Sequence, residues 1–516
     1  MSSLEGVKAP DNGDKPNRRP SKRTTLDLEE GGLAHPGSDS TSGGGEAASS
    51  NPASDEKSAE GSSSRAKTTI SLGRNESEQR MGLGGPAMGP PRRSTMNSIG
   101  QRALGRSFTS LFVPEHRLKP APSVKQSLLN IVKYNFLNVL VLLIPVSWAL
   151  HFATPDNDLA IFLTSFLAIM PLAALLSYGT EEISFRVGQT LGGLLNATLG
   201  NAVELIVAII ALLQCQLIIT QTSLVGSVLS NLLLVLGMCF FVGGLRYKEQ
   251  EFKQTAAQLN TSMLTMAVIS ALIPAGFHAT LGSVVPDPEE RSDLLKLSRG
   301  GSIILIVMYA GYLYFQLRSH THLYADDEDA EEEPTLEIWT AGALLVVSTV
   351  LVGVTSEWLV DSLDGFSSRY GVPKSFIGLV LLPIVSNAAE HVTAVVAARR
   401  NAVDLAMGVA VGSSIQIAIF VLPLLVVIGW IADKPLSLLF DPFVAILLFL
   451  AVLIVSYSIA DGRSNWMEGW ILMNVFVLMA FASWYIPDYT GLFPDEYCKD
   501  RNYFNTHPDA TNLGSS

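Results

Sequence analysis

Long apolar blocks with few charges recur along this sequence after about residue 130, and they limit the folds that the chain can adopt. Each block is roughly 18–25 residues long, the length at which an α-helix crosses the hydrocarbon core of a bilayer. Charged residues make up 16% of the chain, whereas a typical soluble protein has about 25%. The pattern predicts an all-α polytopic membrane protein with about 11 transmembrane helices. The predicted helices lie near residues 134–153, 158–178, 185–214, 221–244, 258–277, 300–317, 337–356, 372–398, 404–430, 437–459 and 467–486.

Two short motifs each occur twice in the chain. Gly200-Asn201-Ala202-Val203-Glu204 is similar to Ser386-Asn387-Ala388-Ala389-Glu390, and Gly226-Ser227 is repeated as Gly412-Ser413. Glu204 and Glu390 are 186 residues apart, and so are Gly226 and Gly412. The shared offset indicates an internal duplication, so the helices divide into one leading helix and two sets of five. Because an odd number of helices per set inverts the second copy, the sequence predicts two inverted five-helix repeats.

The predicted organisation has five parts. Residues 1–120 are rich in Ser, Gly, Pro and charge, so we expect a disordered cytosolic N-terminal tail. Residues 121–320 hold the leading helix and the first repeat, residues 321–336 an acidic cytosolic linker, and residues 337–486 the second repeat. Residues 487–516 form a short polar C-terminal tail. Lys and Arg concentrate in the short loops on one side, which predicts a cytosolic N-terminus and a lumenal or external C-terminus.

Glu204 and Glu390 lie inside apolar segments, away from the segment ends. An ionised carboxylate at this depth is costly, so an acidic residue there is a functional candidate. Inverted repeats bring equivalent residues together near the midplane of the membrane, and we therefore expect both carboxylates to face one point. The alternative is a structural role, in which each carboxylate is paired inside the bundle.

Two buried carboxylates can be neutralised by a divalent cation or by protons. Hard cations such as Ca²⁺ take roughly six to eight oxygen ligands, and amides and hydroxyls lie near both acids in sequence. The motifs carry no Cys or His cluster of the kind that zinc or copper prefers, so Ca²⁺ is favoured and Mn²⁺ is an alternative. Mutually exclusive loading with cation or protons, combined with alternating access, predicts a cation/proton antiporter. The oxygen-bearing candidates are Asn201, Asn387, Ser227, Ser230, Ser413, Ser414 and Gln416.

Three residues beside the motifs have two readings each. Gly200 and Pro383 are candidate hinges, because Gly and Pro permit a break in a spanning helix. Close packing between helices is the alternative for both. His391 follows Glu390 and is either a candidate proton relay, since histidine changes charge near neutral pH, or a hydrogen-bonding residue of the core.

Several functional classes are disfavoured. Cys215, Cys239 and Cys498 are too few and too scattered for a disulfide framework or a thiolate metal site. Cys215 and Cys239 lie in or beside spanning segments, and we expect packing roles for these two. The nucleophile motif Gly-x-Ser-x-Gly, the metalloprotease motif His-Glu-x-x-His and the nucleotide-binding P-loop do not occur in the sequence, so neither an enzyme nor an ATP-driven pump is favoured. No cofactor is expected beyond the transported ions. An acidic pore is compatible with a cation channel, but channels usually assemble the acidic ring from several subunits.

At these residues the sequence resembles the cation/proton exchanger family of the calcium/cation antiporter superfamily, in particular the fungal vacuolar Ca²⁺/H⁺ exchangers. The similarity rests on residues 200–204 and 386–391, and on residues 226–231 and 412–417. The resemblance implies that Glu204 and Glu390 bind cation and proton alternately. It implies auxiliary ligands at Asn201, Asn387, Ser227, Ser413 and Gln416.

The resemblance also implies a location and a coupling ion. It implies a multi-pass protein of the vacuolar membrane, in which a proton gradient drives Ca²⁺ from the cytosol into the acidic lumen. Sodium-coupled relatives carry a Pro next to the repeat acid. Here Val203 and Ala389 precede the two acids, which argues against the alternative of a Na⁺-coupled exchanger.

Overall fold

The computed structural model describes residues 120–187, 189–281, 287–324, 334–488 and 492–500. Almost all of the predicted N-terminal tail, the acidic run of the predicted linker and most of the predicted C-terminal tail lie outside these ranges. The expectations for those segments stay predictions.

The first half of the described chain is almost entirely helical. Its helices are α1 (Val124–Lys133), α2 (Leu143–Ala153), α3 (Asp158–Ser184), α4 (Gln189–Leu199), α5 (Ala202–Leu213), α6 (Leu217–Leu229), α7 (Leu236–Arg246), α8 (Gln254–Leu281) and α9 (Asp287–Tyr314). Short 3₁₀ turns cover Phe136–Leu142 and Thr321–Leu323. Polar side chains start several helices: Asn157 Oδ1 accepts a hydrogen bond from Ala160 N and so caps α3.

The second half follows the same pattern. Its helices are α10 (Ile338–Asp361), α11 (Leu363–Tyr370), α12 (Lys374–Phe376), α13 (Leu382–Ser386), α14 (Ala388–Arg399), α15 (Val403–Gln416), α16 (Leu422–Ile431), α17 (Pro442–Ser458), α18 (Trp466–Tyr485) and α19 (Asp495–Lys499). Asn465 and Glu468 form a capping box at the start of α18. The described residues include one small antiparallel pair, β1 (Gln250–Glu251) with β2 (Arg463–Ser464), in which Gln250 lies opposite Ser464.

Wider π-helical turns interrupt several of the long helices. One covers Ser230–Val235 between α6 and α7, and another covers Ile417–Val421 between α15 and α16. With the 186-residue offset these two turns fall at equivalent places, so the duplication seen in the sequence is also visible in the backbone. A third covers Ile377–Leu381 between α12 and α13, and a fourth covers Phe315–Ser319 after α9. Such turns shift the helix register and are frequent near functional sites.

Both segments that carry the repeated motif are broken helices. α4 ends at Leu199 and α5 begins at Ala202, so Gly200 and Asn201 lie in the break. The helical segments Lys374–Ser386 and Ala388–Arg399 meet at an angle of 60° at Asn387. Pro383 lies four residues before this bend, inside α13.

The described residues form a largely helical molecule with an apolar exterior. Eight of their helical segments are long and apolar enough to cross a bilayer, or nine if the bent pair counts as one span. Two further apolar helices, α5 and α17, are shorter. The number of eleven spans is therefore not confirmed and stays a prediction. Large apolar side chains such as Val139, Val307 and Leu478 are exposed, as expected of a surface that faces lipid.

The helix ends gather at two opposite faces, which can be followed along α10. Before α10 begins, the Glu182 carboxylate at the end of α3 accepts hydrogen bonds from Thr335 N at 2.9 Å and Leu336 N at 3.1 Å. Where α10 ends, Gln214 Nε2 donates to Asp361 Oδ1 at 2.8 Å. Because α10 has 24 residues, these ends are about 36 Å apart, enough to cross a bilayer. We name them the Glu182 face and the Asp495 face, the latter after an aspartate described below.

The expectation of a packing role is wrong for Cys215, and the cysteines are not too scattered to form a disulfide. Cys215, between α5 and α6, forms a disulfide with Cys498 in α19, although 283 residues separate them in sequence. The fold brings the loop after the first broken helix and the C-terminal helix to the same face, and sequence spacing carries no sign of this proximity. Cys239 is a free, buried thiol.

Candidate functional site

The helix breaks place both glutamates at the start of a helix. Glu204 lies in the first turn of α5 behind Asn201, and Glu390 lies in the first turn of α14 behind Asn387. The amide three residues before each acid is therefore the N-cap residue of the helix that carries the acid. The positive end of a helix dipole favours a nearby carboxylate, so this position lowers the cost of a negative charge inside the protein.

The two repeats are joined at the site by hydrogen bonds between their polar side chains. Ser413 Oγ, from the second repeat, lies 2.7 Å from Asn201 Oδ1 of the first repeat and 3.3 Å from Glu390 Oε2. The hydroxyl has one proton, so it can donate to one of these oxygens at a time. The structure thus brings Asn201, Ser413 and Glu390 into direct contact.

Asn231 is a residue of the site that sequence reasoning missed. It is fully buried, its Nδ2 donates to Ser413 Oγ at 3.1 Å, and its Oδ1 accepts from Asn387 Nδ2 at 3.4 Å. An amide inside a long apolar helix was the available signal. Its repeat counterpart is Ile417, so a search for repeated polar residues passes over it.

Glu204 lines a partly open cavity of about 370 Å³, whose walls are mostly apolar. Polar groups from both repeats also line it: Ser223 and Ser227 contribute from α6, and Ser386 contributes from α13. Ser413 links Glu390 to Asn201, three residues before Glu204, so the two acids belong to one polar region. The described residues contain no group of three or more His, Cys, Asp or Glu side chains placed to hold a metal ion. A hard cation here would therefore draw its remaining oxygens from amides, hydroxyls, backbone carbonyls or water.

His391 and Gln416, two of the predicted site residues, do not hydrogen-bond to Glu204 or Glu390 among the described contacts. His391 Nε2 lies 3.4 Å from Ser230 Oγ, and the ring is half-buried. Gln416 is 7% exposed, and its side-chain nitrogen has no hydrogen-bond partner among the described residues. The geometry leaves both readings of His391 open, and the ligand role of Gln416 stays a prediction.

On the Asp495 side of the site, α6 packs closely against the turn Ile377–Leu381. α6 crosses the turn Ile377–Leu381 so tightly that a Cβ on Gly226 would lie 2.6 Å from Leu379 O and 2.7 Å from Gly378 O. A Cβ on Gly378 would collide with Thr222 Oγ1. Real Cβ atoms do not approach backbone oxygens this closely, so only glycine allows the contact. We call this close contact the Gly226 crossing.

The equivalent half toward the Glu182 face is open. Gly408 and Gly412 of α15 are the repeat counterparts of Thr222 and Gly226, yet a Cβ on either would meet no atom of the described residues within 4 Å. Leu405 is 45% exposed, whereas its counterpart on α6, Ile219, is 0% exposed. Leu405, Gly408 and Gly412 lie on one face of the helix. Two repeats of similar sequence are therefore packed differently.

Comparison with known proteins gives consistent matches. A sequence profile of the sodium/calcium exchanger protein family matches residues 157–318 and 340–485, which are the two repeats. A vacuolar calcium ion transporter of Cryptococcus neoformans is 42% identical over 77% of this chain and 82% of its own length. A vacuolar calcium ion transporter of Schizosaccharomyces pombe is also 42% identical, over 70% of this chain and 89% of its own length. Vacuolar cation/proton exchanger 5 of Arabidopsis thaliana is 40% identical over 77% and 90% of the two chains.

Solved structures match as well. The structure of native YfkE is 35% identical, covers 68% of this chain and 100% of its own, and superposes with a TM-score of 0.58. The crystal structure of an H⁺/Ca²⁺ exchanger, CAX, is 17% identical and has a TM-score of 0.54 over 74% of this chain and 95% of its own. The second match shows a shared fold.

Proposed function

Because the chain belongs to the sodium/calcium exchanger protein family, we propose that it is a secondary antiporter that exchanges cytosolic Ca²⁺ for lumenal H⁺. The relatives support this assignment, since they are named as vacuolar calcium ion transporters and as a vacuolar cation/proton exchanger. The observation that carries the proposal is the pair of broken helices that place Glu204 and Glu390 in one buried polar site. The transported ions are substrates, and the proposal includes no cofactor and no catalysed reaction.

The site binds either ion by neutralising the same charge. Two ionised carboxylates attract one Ca²⁺, and Asn201, Asn387 and Ser413 offer neutral oxygens beside them. When the cation leaves, protons on the carboxylates replace it, because two bare charges in a low-dielectric interior repel each other. Ca²⁺ and protons therefore exclude one another at the site. That exclusion couples the two fluxes.

Access to the site alternates between the two faces. Inverted repeats generate two conformations when each repeat adopts the packing of the other. Here the Gly226 crossing closes the Asp495 half, while the equivalent Gly412 surface is open. Glu390 is half-buried, whereas Glu204 is buried. The described conformation therefore opens to the Glu182 face, and the opposite conformation packs α4 against Gly408 and Gly412.

The Glu182 face is the cytosolic one in this proposal. Lys248, Lys253, Arg399 and Arg400 lie at the helix ends of that face, and basic loops remain on the cytosolic side. The Cys215–Cys498 disulfide lies at the opposite face, and disulfides persist in oxidising, non-cytosolic compartments. The C-terminus is therefore lumenal. Together with the vacuolar relatives, these features support a vacuolar membrane location.

The test is Ca²⁺ uptake into vesicles with an acidic interior, compared among the native chain, Glu204→Gln and Glu390→Gln. We expect uptake that collapses when the pH gradient is removed, and a loss of at least about 100-fold in either variant, since each lacks a titratable ligand. Glu289→Gln is the matched control, because Glu289 is exposed near the start of α9. Native uptake by both site variants would overturn the assignment.

Two alternatives have distinct outcomes in the same vesicles. A Na⁺-coupled exchanger takes up Ca²⁺ against a Na⁺ gradient at equal pH on both sides. An acidic-pore cation channel conducts Ca²⁺ down its own gradient and moves no counter-protons. Competition by Mn²⁺ measures how far the site prefers Ca²⁺.

A further inference from the structure

A short C-terminal segment is tied to the Asp495 face at three points. We call residues 492–500, which include α19, the strap. Cys498 forms the disulfide with Cys215, Asp495 Oδ1 accepts a hydrogen bond from Leu217 N at 2.9 Å, and Asp495 Oδ2 lies 3.2 Å from Lys374 Nζ. Asp495 is 7% and Cys498 is 6% exposed, so both are buried against the face.

The strap holds the starting ends of two particular helices. Leu217 is the first residue of α6, and Lys374 is the first residue of α12. Asp495 therefore bridges α6 and α12 with one carboxylate. Asp488, shortly before the strap, adds to the α12 end by accepting hydrogen bonds from Lys374 N at 3.0 Å and Ser375 N at 2.8 Å.

A second set of contacts strengthens this bridge. Lys374 Nζ lies 2.7 Å from Asp364 Oδ1 and 3.0 Å from Gln216 Oε1, and Gln216 Nε2 donates to Asp364 Oδ2 at 2.7 Å. Lys374 thus sits among two carboxylates and an amide at the end of the closed half. These contacts link α11, the helix that follows α10, to the same pair of helices.

The bridged helices are the ones whose crossing closes this face. α6 carries Gly226, and the turn after α12 carries Gly378 and Leu379. To open the Asp495 face, α6 and α12 must separate, so the contacts of Asp495 with one of them must break. The disulfide keeps the strap next to α6 at high local concentration, so the carboxylate returns to Lys374 after each separation.

We propose that the Cys215–Cys498 disulfide is a redox site that controls how readily the Asp495 face opens. With the disulfide formed, the strap stabilises the conformation that is closed on this face. Thiol–disulfide exchange with a dithiol reductant gives the bridge two electrons and two protons, yields two thiols and oxidises the dithiol to a disulfide. The freed strap then leaves the face more often, and the face opens more readily.

The first experiment tests the Cys215–Cys498 disulfide and the opening of the Asp495 face, and it requires no transport assay. The full-length protein is alkylated under non-reducing conditions and analysed by mass spectrometry, and hydrogen exchange is followed at the amides that begin α6. We expect a Cys215–Cys498 linked peptide and, after treatment with a phosphine or dithiol reductant, about fivefold faster exchange. This factor corresponds to about 1 kcal/mol, the upper range for a partly exposed ion pair.

Variants separate the disulfide from other effects of the reductant. In Cys498→Ser, hydrogen exchange at the start of α6 is expected to be as fast as in the reduced protein. The reductant is expected to have no effect on this variant. Cys239→Ala, which removes the buried free thiol, is expected to keep the full response. Free, alkylated Cys215 and Cys498 in the untreated protein would overturn the proposal. A linked peptide whose reduction leaves exchange at α6 unchanged would overturn it equally.

The link to transport rests on the proposed function and is tested separately. Reduction of the native protein in acidic vesicles is expected to change the rate of Ca²⁺ uptake, with no change in Cys498→Ser. If hydrogen exchange responds to reduction but the native protein does not transport Ca²⁺ in exchange for protons, the proposed function fails while the redox site stands. If transport is intact and neither measurement responds to reductant, the redox site fails alone.

Discussion

The unequal packing of Gly226 and Gly412 gives a prediction with opposite signs at two equivalent positions. Alanine at Gly226 places a methyl group 2.6–2.7 Å from two backbone carbonyl oxygens that cannot rotate away. Overpacking of this kind typically costs about 1–3 kcal/mol. The cost applies only to the conformation closed at the Asp495 face, so the equilibrium moves away from it by about 5- to 150-fold.

Alanine at Gly412 has the opposite expected effect. Its methyl group meets nothing within 4 Å in the described conformation. In the alternate conformation the same methyl group enters the tight crossing and incurs the same cost. Gly412→Ala therefore shifts the equilibrium toward the described conformation, whereas Gly226→Ala shifts it away. Both variants exchange Ca²⁺ slowly, because each disfavours one of the two states that a transport cycle visits.

Two introduced cysteines at equivalent positions report the change. Leu405→Cys lies on the open surface, and Ile219→Cys lies in the closed crossing. Under non-reducing conditions a membrane-permeant maleimide is expected to label Leu405→Cys much faster than Ile219→Cys. Gly226→Ala should raise labelling at Ile219→Cys and lower it at Leu405→Cys, and Gly412→Ala should not. Equal labelling of the two reporters, or the same shift from both glycine variants, would refute the reasoning.

Two further predictions concern the site and the strap. Asn231→Leu removes the hydrogen bonds that Asn231 makes with Asn387 Nδ2 and with the Ser413 hydroxyl, at about 1–3 kcal/mol. We therefore expect Ca²⁺ affinity to fall by about 5- to 150-fold in calorimetry. Ile417→Leu at the equivalent position is the control, and equal affinities would contradict the role. Burial raises the pKa of Asp495 above its ordinary value of 3.8, although Lys374 and the amide of Leu217 partly offset this. Because the docked carboxyl binds its proton more tightly than the free one, docking of the strap is fully favoured below pH 3.8 and weakens as the pH rises through the docked pKa. In Cys498→Ser, proteolysis of the strap should therefore be slower at pH 4.5 than at pH 7, and faster cleavage in acid would contradict the direction.

Much of the site could be predicted because its polar motifs occur twice in the sequence. The 186-residue offset in the sequence relates Glu204 to Glu390 and Asn201 to Asn387. A carboxylate inside an apolar segment is so costly that its position alone indicates function. The contact of Ser413 with Asn201 and Glu390 follows from the same symmetry, since inverted copies meet at their equivalent residues.

Other features could not be predicted, each for a physical reason. Asn231 has an apolar repeat counterpart, so duplication conceals it. The Cys215–Cys498 pair depends on where two distant segments end, which local sequence does not record. The bend at Asn387 rather than at Pro383 reflects the π-helical turn before the proline, which absorbs the lost backbone donor. The difference in packing between the Gly226 and Gly412 surfaces is present in one conformation of the chain. The opposite conformation has the same sequence, so the sequence does not indicate which surface is packed.

The central claim is that Ca²⁺ and protons occupy the same two carboxylates. It is tested most directly by calorimetric Ca²⁺ titration of the purified protein in buffers of different ionisation enthalpy, which counts the protons released per Ca²⁺ bound. The account predicts proton release on binding by the native protein, and neither binding nor release by the double variant Glu204→Gln/Glu390→Gln. Ca²⁺ binding that releases no protons, or binding that survives in the double variant, would contradict it.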